Sequence, residues 1–427
     1  MASFVAHWVK RMSFHRNGPL LAAALTLSVM LVGVTGGSAA AAAPPIKIIT
    51  YGDITGLAPF PEHEFQDGVV AAVDAFNASG GVQGRKIDLI TCDTKFAAAA
   101  AAACVANAKS EGVVAAIPSV SLVDNVTTPL LEQQGIPIIG SDPSSPQAEY
   151  SKTSACFLPG PYVDYPALVQ FMSKAGSKSL SATLPSGVAG ENVLEGATAI
   201  QAKTDGAKVH IWLQAFPTTT DFAPIGEQAV EAGEDGFMGG VGGPALNALF
   251  SAVLSAKPGV KLGGPGYILQ GGPSVDQALV SLGGKGTIIS GYTAFPTDTK
   301  VPAVKLFDKE IAKVDPTDKF VEVSFMTWLD GYGATQILKS MMSGPINART
   351  ITTAMQNTKN LDMLGAVPNW SYSYNSLGLG CTNDPSEYEG ILTSANGATP
   401  SHGDKPIYTL PPAVINYYKA HESTLAQ

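Results

Sequence analysis

The chain has 427 residues, with 26 Lys and Arg against 35 Asp and Glu, 45% hydrophobic residues and a formal net charge of −9. That length exceeds what one hydrophobic core usually serves and predicts two domains. The acidic balance disfavours nucleic acid and anionic membrane surfaces as partners and leaves the ligand open.

Lys10, Arg11 and Arg16 precede an apolar run over 20–34 and a small-residue stretch ending in the alanines Ala39 to Ala43, which together read as a signal peptide over residues 1–43. The run holds 15 residues, short of the roughly 20 that a helix needs to cross a bilayer. Cleavage is expected between Ala40 and Ala43, and no cysteine stands there to be acylated. The mature part, from Pro44, is expected to be exported and soluble. Without the three leading cations it carries 23 basic against 35 acidic side chains, a formal charge of −12.

From residue 46 the chain alternates short apolar runs, at 46–51, 86–92, 113–118 and 136–140, with helical stretches. Near-continuous apolar strands separated by helices predict a parallel sheet covered on both faces. Phe65, Val69, Val73 and Phe76 share one helical face, and Gly80 and Gly81 end that helix. The alanine run 97–103 sits where a crossover helix is needed, and alanine is the best helix former. After the segment 159–166 a second series of strands is expected at 179–184, 209–216, 236–241, 267–270 and 287–292, with helices at 191–203 and 244–257. A helix over 325–340, a tyrosine-rich segment at 370–374 and a strand-rich tail to Tyr418 follow. The fold class predicted is α/β, as two doubly wound parallel-sheet units in series.

All four cysteines, Cys92, Cys104, Cys156 and Cys381, lie in the mature part, and an even exported set reads as two disulfides. Three pairings are open. The favoured one joins Cys92 to Cys104, from a strand end to the helix that follows, and Cys156 to Cys381.

The strand at 46–51, the turn Gly52, Asp53, Ile54, Thr55, Gly56 and the run Phe76, Asn77, Ala78, Ser79, Gly80, Gly81, Val82, Gln83, Gly84, Arg85, Lys86, Ile87 resemble the type I periplasmic binding proteins of the branched-chain amino acid and amide group. The likeness continues through Asp93, the Gly135, Ile136, Pro137 strand start and the pair Asp221, Phe222. It implies two lobes joined by three crossovers, placed near 160–165, 294–296 and 372–376. Lobe I would span 44–162 and 295–373, and lobe II 163–294 and 374–427 with the C-terminal tail. Cys156 and Cys381 would then restrain the hinge. It further implies a monomer that captures a small-molecule ligand and hands it to the permease subunits of an ABC importer. The alternative is a ligand-sensing clamp that signals to a receptor or regulator.

Ligands of open α/β sheets sit at the carboxyl ends of strands. That rule selects the segments 55–60, 119–121 and 142–144. By similarity to amino-acid binders, Ser121 matches a serine that holds a carboxylate, and Asp142 and Ser144 fall where carboxylate and ammonium are gripped. Ser119, Ser121 and Ser144 could equally cap helices or turns, and Asp142 could form an Asx turn before Pro143. Phe60 would be an apolar wall or core. In lobe II the positions Val188, Ala189, Gly190, then Gly242, Gly243, and Gln270, Gly271 lack the tyrosine or acid of amino-acid binders. The expected ligand is therefore bulkier or less zwitterionic than leucine, unless neighbouring side chains fill the space.

The glycines of 236–243 do not give G-x-G-x-x-G, so no nicotinamide cofactor is expected. The histidines of the mature part, His63, His210, His402 and His421, are scattered, Glu62, His63, Glu64 lacks the spacing of a zinc site, and no G-x-S-x-G elbow occurs. No metal, cofactor or catalytic activity is expected.

Overall fold

The computed structural model describes residues 43–425 apart from 57–61, 186–189, 216–218, 267–271, 395 and 404. Two sheets follow one another along the chain. The first holds β1 (Ile46–Gly52), β2 (Ile87–Asp93), β3 (Ala115–Ala116), β4 (Ile138–Ile139) and β5 (Ser154–Ala155) in the order β2-β1-β3-β4-β5, parallel throughout. Crossovers are made by α1 (Glu64–Ala78), α2 (Ala98–Glu111), α3 (Asp124–Gln133) and the short α4 (Pro146–Glu149). The alanine run is helical as expected. It buries Ala101, Val105 and Ala108 while Gly112 closes the helix at φ 73°.

The chain then passes to a second sheet through α5 (Pro161–Lys174). There follow β6 (Ser179–Pro185), α6 (Glu191–Thr204), β7 (Lys208–Ala215), α7 (Ala223–Gln228), β8 (Gly236–Met238), α8 (Gly243–Ala256), β9 (Lys261–Pro265), α9 (Gly272–Leu279) and β10 (Ile288–Gly291). Next come α10 (Pro302–Ile311), α11 (Glu322–Ser340) and α12 (Ala348–Asn357), after which β11 (Ser386–Ser394), β12 (Gly397–Pro400), β13 (Tyr408–Thr409) and α13 (Pro412–Leu425) complete the chain. The second sheet runs β12-β11-β10-β9-β8-β6-β7, with β13 paired to β11. Its strands β6 to β10 are parallel, and the tail adds β11, β12 and β13 antiparallel.

The strand beside β10 and the end of the tail differ from expectation in their place along the chain. The strand expected at 267–270 lies outside the described residues, and the strand that pairs between β8 and β10 is β9, six residues upstream. Its sequence Lys-Leu-Gly-Gly-Pro hides it, because glycine is a poor strand former. The glycine is required by packing: a Cβ on Gly263 would stand 2.7 Å from Met172 Sδ of α5. The tail is strand-rich only to Thr409, and Tyr418 is buried on α13, which packs on α6.

Although they follow the second sheet's strands in sequence, α10 and α11 pack on α1 of the first. The contact is close. A Cβ on Gly68 would lie 2.1 Å from Ser324 O, and one on Gly331 would lie 2.8 Å from Ala72 Cβ. Phe325 and Trp328 stack in the same layer and Phe307 packs on both at a tilt, with centroids 5.1–5.8 Å apart. The chain thus passes between the sheets three times, after β5, between β10 and α10, and between α12 and β11.

Both disulfides form in the favoured pairing. Cys92–Cys104 spans 12 residues and ties β2 to α2, whereas Cys156–Cys381 spans 225 and joins the first and third passages. Around the second bond, Cys381 N donates to Glu149 O at 2.7 Å and Trp370 Nε1 donates to Cys156 O at 2.8 Å. Chain entropy makes the longer loop the more stabilising. Urea denaturation should show the Cys156→Ala/Cys381→Ala variant less stable by about 5 kcal/mol and the Cys92→Ala/Cys104→Ala variant by about 3 kcal/mol; equal losses would contradict the loop-length account.

Candidate ligand-binding site

Because β1 to β4 run in one direction, the turns that follow them emerge together. Asp53, buried directly after β1, fastens three of them. Its Oδ1 accepts from Thr94 Oγ1 at 2.5 Å and Phe96 N at 2.8 Å, and its Oδ2 accepts from Leu122 N at 2.6 Å. Burial pushes this carboxyl up, and the Thr94 hydroxyl and the two amides pull it back. Asp93, at the end of β2, accepts Ile54 N and Thr55 N at 3.1 Å each and the Thr55 hydroxyl at 2.5 Å. There burial is outweighed by those donors, so its carboxyl lies below the usual value. Neither role was visible in the sequence beyond the cue of an acid directly after an apolar strand.

Ser119, Ser121, Asp142 and Ser144 come together after β3 and β4, with different tasks. Ser119 is buried and donates its hydroxyl to the Phe65 carbonyl in the first turn of α1, so it fastens a helix. Ser144 also fastens, since its amide donates to Asp124 Oδ2 at 2.7 Å and its hydroxyl to Ser121 O at 2.9 Å. Taking the Ser144 amide, Asp124 removes the donor that an Asx turn at Asp142 would use. Ser121 is different: it is 7% exposed, and its Oγ has no hydrogen-bond partner.

Acids gather in the same turns. Asp124 is the first residue of α3 and is pushed up to about 6 by burial, against the pull of Ser144 and Ser145. Asp142 is raised to about 7 by burial and by Asp124, its own amide working the other way. Beneath them lies Asp330 of α11, so close that a Cβ on Gly140 would stand 2.7 Å from Asp330 Cβ. Burial, then Asp142, hold Asp330 well above the ordinary carboxylate range. The positive end of α3 is already complemented by Asp124, which leaves little attraction there for a ligand anion.

On the second sheet, Gly242 precedes α8 in extended conformation and Gly243 begins the helix. The glycines just before them do not leave space: a Cβ on Gly239 would lie 2.3 Å from Phe250 Cε1 and one on Gly240 2.1 Å from Tyr165 Oη. Phe60, Ala189 and Gln270 lie outside the described residues. A hollow lined by Thr220, Phe222, Glu227, Ser251 and Ser255 meets the C-terminal half of α8, and hence the amino ends of the strands, the wrong end for a ligand of this architecture. Among the described residues no three His, Cys, Asp or Glu side chains converge for a metal ion, and no helix is long and apolar enough to cross a membrane.

A profile of the periplasmic binding protein family matches residues 45–375. The chain belongs to that family, whose type I members are extracytoplasmic binding proteins. Among solved structures, it is similar to a solute-binding protein of an ABC transporter from R. palustris in complex with 4-hydroxybenzoate, at 17% identity and TM-score 0.69 over 86% of this chain and 98% of that one. A fatty acid ABC transporter substrate-binding protein from Thermomonospora curvata matches at 17% identity and TM-score 0.68, over 87% of this chain and 96% of that one. A leucine-, isoleucine-, valine-, threonine- and alanine-binding protein from Brucella ovis, in closed conformation, matches at 17% identity and TM-score 0.67, over 87% and 98%. No curated protein matches.

Two outcomes follow from the site's fastening and its acids. Asp53→Ala deprives Thr94, Phe96 and Leu122 of their acceptor and should cost about 3 kcal/mol in urea denaturation, at about 1 kcal/mol per bond; a change below about 1 kcal/mol would show the turns held otherwise. Asp124, Asp142 and Glu149, raised by burial to about 6, 7 and 8, keep protons in the folded chain that the unfolded chain releases near pH 4. Their contribution to stability is full below about pH 4 and is lost as pH rises toward 8, so the unliganded melting temperature should fall between pH 5 and pH 8.

Proposed function

We propose that the chain is a non-enzymatic, extracytoplasmic solute-binding protein that captures a small organic ligand between two lobes and delivers it to an ABC importer. One observation carries this reading. The first residue of α11, Glu322, which is packed with the first sheet, sets its carboxyl against Gly266 and Gly291 at the carboxyl ends of β9 and β10 in the second. Ligand-bearing ends of both sheets therefore meet, and a molecule lodged there touches both.

Lobe boundaries follow the three passages, with lobe I over 44–162 and 295–373 and lobe II over 163–294 and 374–427. A ligand contacting both lobes stabilises the closed form by its differential affinity, and the passages absorb the rotation. Residues 1–43 act as the export signal. Ser121 contributes a hydroxyl without a partner and Asp142 its carboxyl; Ser119 and Ser144 shape the site without facing the ligand. The 4-hydroxybenzoate, fatty acid and small amino acids that the names of the similar structures print frame the size range and no more.

A thermal-shift screen of residues 44–427 against amino acids, amides, aromatic acids and larger apolar acids tests the reading. A ligand at 100 times its Kd should add about 2.7 kcal/mol. Binding should weaken about tenfold in Ser121→Ala and in Asp142→Asn, a loss of about 1.4 kcal/mol each. Hits indifferent to both changes would place the site elsewhere.

A further inference from the structure

Where the two sheets meet, the chain buries carboxyls that it does not pair. Glu322 is 2% exposed, and its Oε1 would stand 2.2 Å from a Cβ on Gly266 and 3.0 Å from one on Gly291. Facing it are Asp164 on α5, Asp276 on α9 and Glu387 on β11, each 0% exposed. Glu387 Oε2 accepts from Ser290 Oγ at 3.3 Å. Glu387 Oε1, Glu322 Oε1 and both carboxyl oxygens of Asp276 have no hydrogen-bond partner, while the Ser290 and Tyr292 hydroxyls turn toward Asp164 without giving it a countercharge. Asp384 stands beside Glu387, and the charged groups that act on Glu322 and Glu387 most strongly are other carboxyls.

Buried acids are normally matched by Arg, Lys or a metal, because desolvating them alone is costly. We infer that Asp164, Asp276, Glu322 and Glu387 form the receptor for the ammonium or guanidinium head of an organic cation, held jointly by the two halves of the chain. The inference rests on the capture reading and names its ligand class. A metal ion does not fit, since no three such side chains converge tightly enough. An ammonium or guanidinium fits better, because its three to five N–H donors diverge toward separated acceptors. Glu322 belongs to the first half and the other three to the second, so the cation bridges the lobes and favours their closure. Glycine at 266 and 291 is what lets the Glu322 carboxyl reach the strand ends.

Burial pushes Asp164 and Asp276 up to about 8, and burial followed by the neighbouring acids holds Glu322 and Glu387 well above the usual range. The unliganded cluster keeps protons that an arriving cation displaces, so affinity rises with pH through this range.

The test uses residues 44–427 with agmatine, putrescine and cadaverine as cationic probes and leucine and 4-hydroxybenzoate as anionic or zwitterionic ones, by thermal shift and calorimetry at pH 6 and pH 8.5. At least one cation should raise the melting temperature, bind about tenfold tighter at pH 8.5, and release protons, seen as a binding enthalpy that varies with the buffer. Glu322→Gln and Asp276→Asn should each weaken it tenfold or more, while both variants keep the native circular dichroism and melt higher than wild type at pH 8.5 without ligand. Stabilisation by leucine or 4-hydroxybenzoate with none by any cation would sink the cation receptor and leave the capture reading standing. Silence from every probe would sink it too and count against capture. Cation binding undiminished in both variants would likewise overturn it.

Discussion

A parallel ladder cannot be closed by a tight turn, so each strand must be followed by a covering crossover, and every turn after a strand leaves the sheet at the same end. The rest of this structure depends on that constraint. It delivers the turns after β1, β2 and β3 to one place, where Asp53 can fasten them with three short hydrogen bonds. It also sets α1 and α11 side by side at that end, with the Ser324 hydroxyl donating to Glu64 O at 3.0 Å, which brings Glu322 to the second sheet.

The strands rich in Ile, Val and Leu were legible because a parallel strand buried on both faces needs apolar residues almost without interruption. β9 was not, since its two glycines answer to α5 lying directly over the strand, and a sequence does not show what will press on it. The serines after β3 and β4 were legible as a group at strand ends. Their separate tasks were not, because whether a hydroxyl meets a helix carbonyl, as Ser119 does, or meets nothing, as Ser121 does, is decided by elements far away in the chain. Glu322 escaped for the same reason: the helix could be placed from periodicity, but its start was read three residues late, and nothing local marks an acid that will cross to another sheet.

The chemistry of the site is set by which charges are present. After Pro44 the chain has two arginines, Arg85 and Arg349, and Arg85 is spent on the carbonyls of Pro44 and Pro45 at 2.7 and 3.3 Å. The strand ends instead collect hydroxyls and carboxyls. A fold shared with binders of benzoates, fatty acids and amino acids therefore gathers buried acceptors at its strand ends here, and fold likeness says less about the cargo than these side chains do.

The spacing of the cysteines carries a consequence for how such a chain can be made. In a chain that emerges N-terminus first, Cys92 and Cys104 appear 12 residues apart, and closing a short loop is entropically easy. Once they have paired, Cys156 is left without a wrong partner. It must wait 225 residues for Cys381, by which time both sheets' parallel strands have emerged. The order of synthesis thereby favours this pairing: the local bond takes up the two thiols that could have mispaired, and the long bond closes only after the parallel strands of both sheets are made, with β11, β12, β13 and α13 still to follow Cys381.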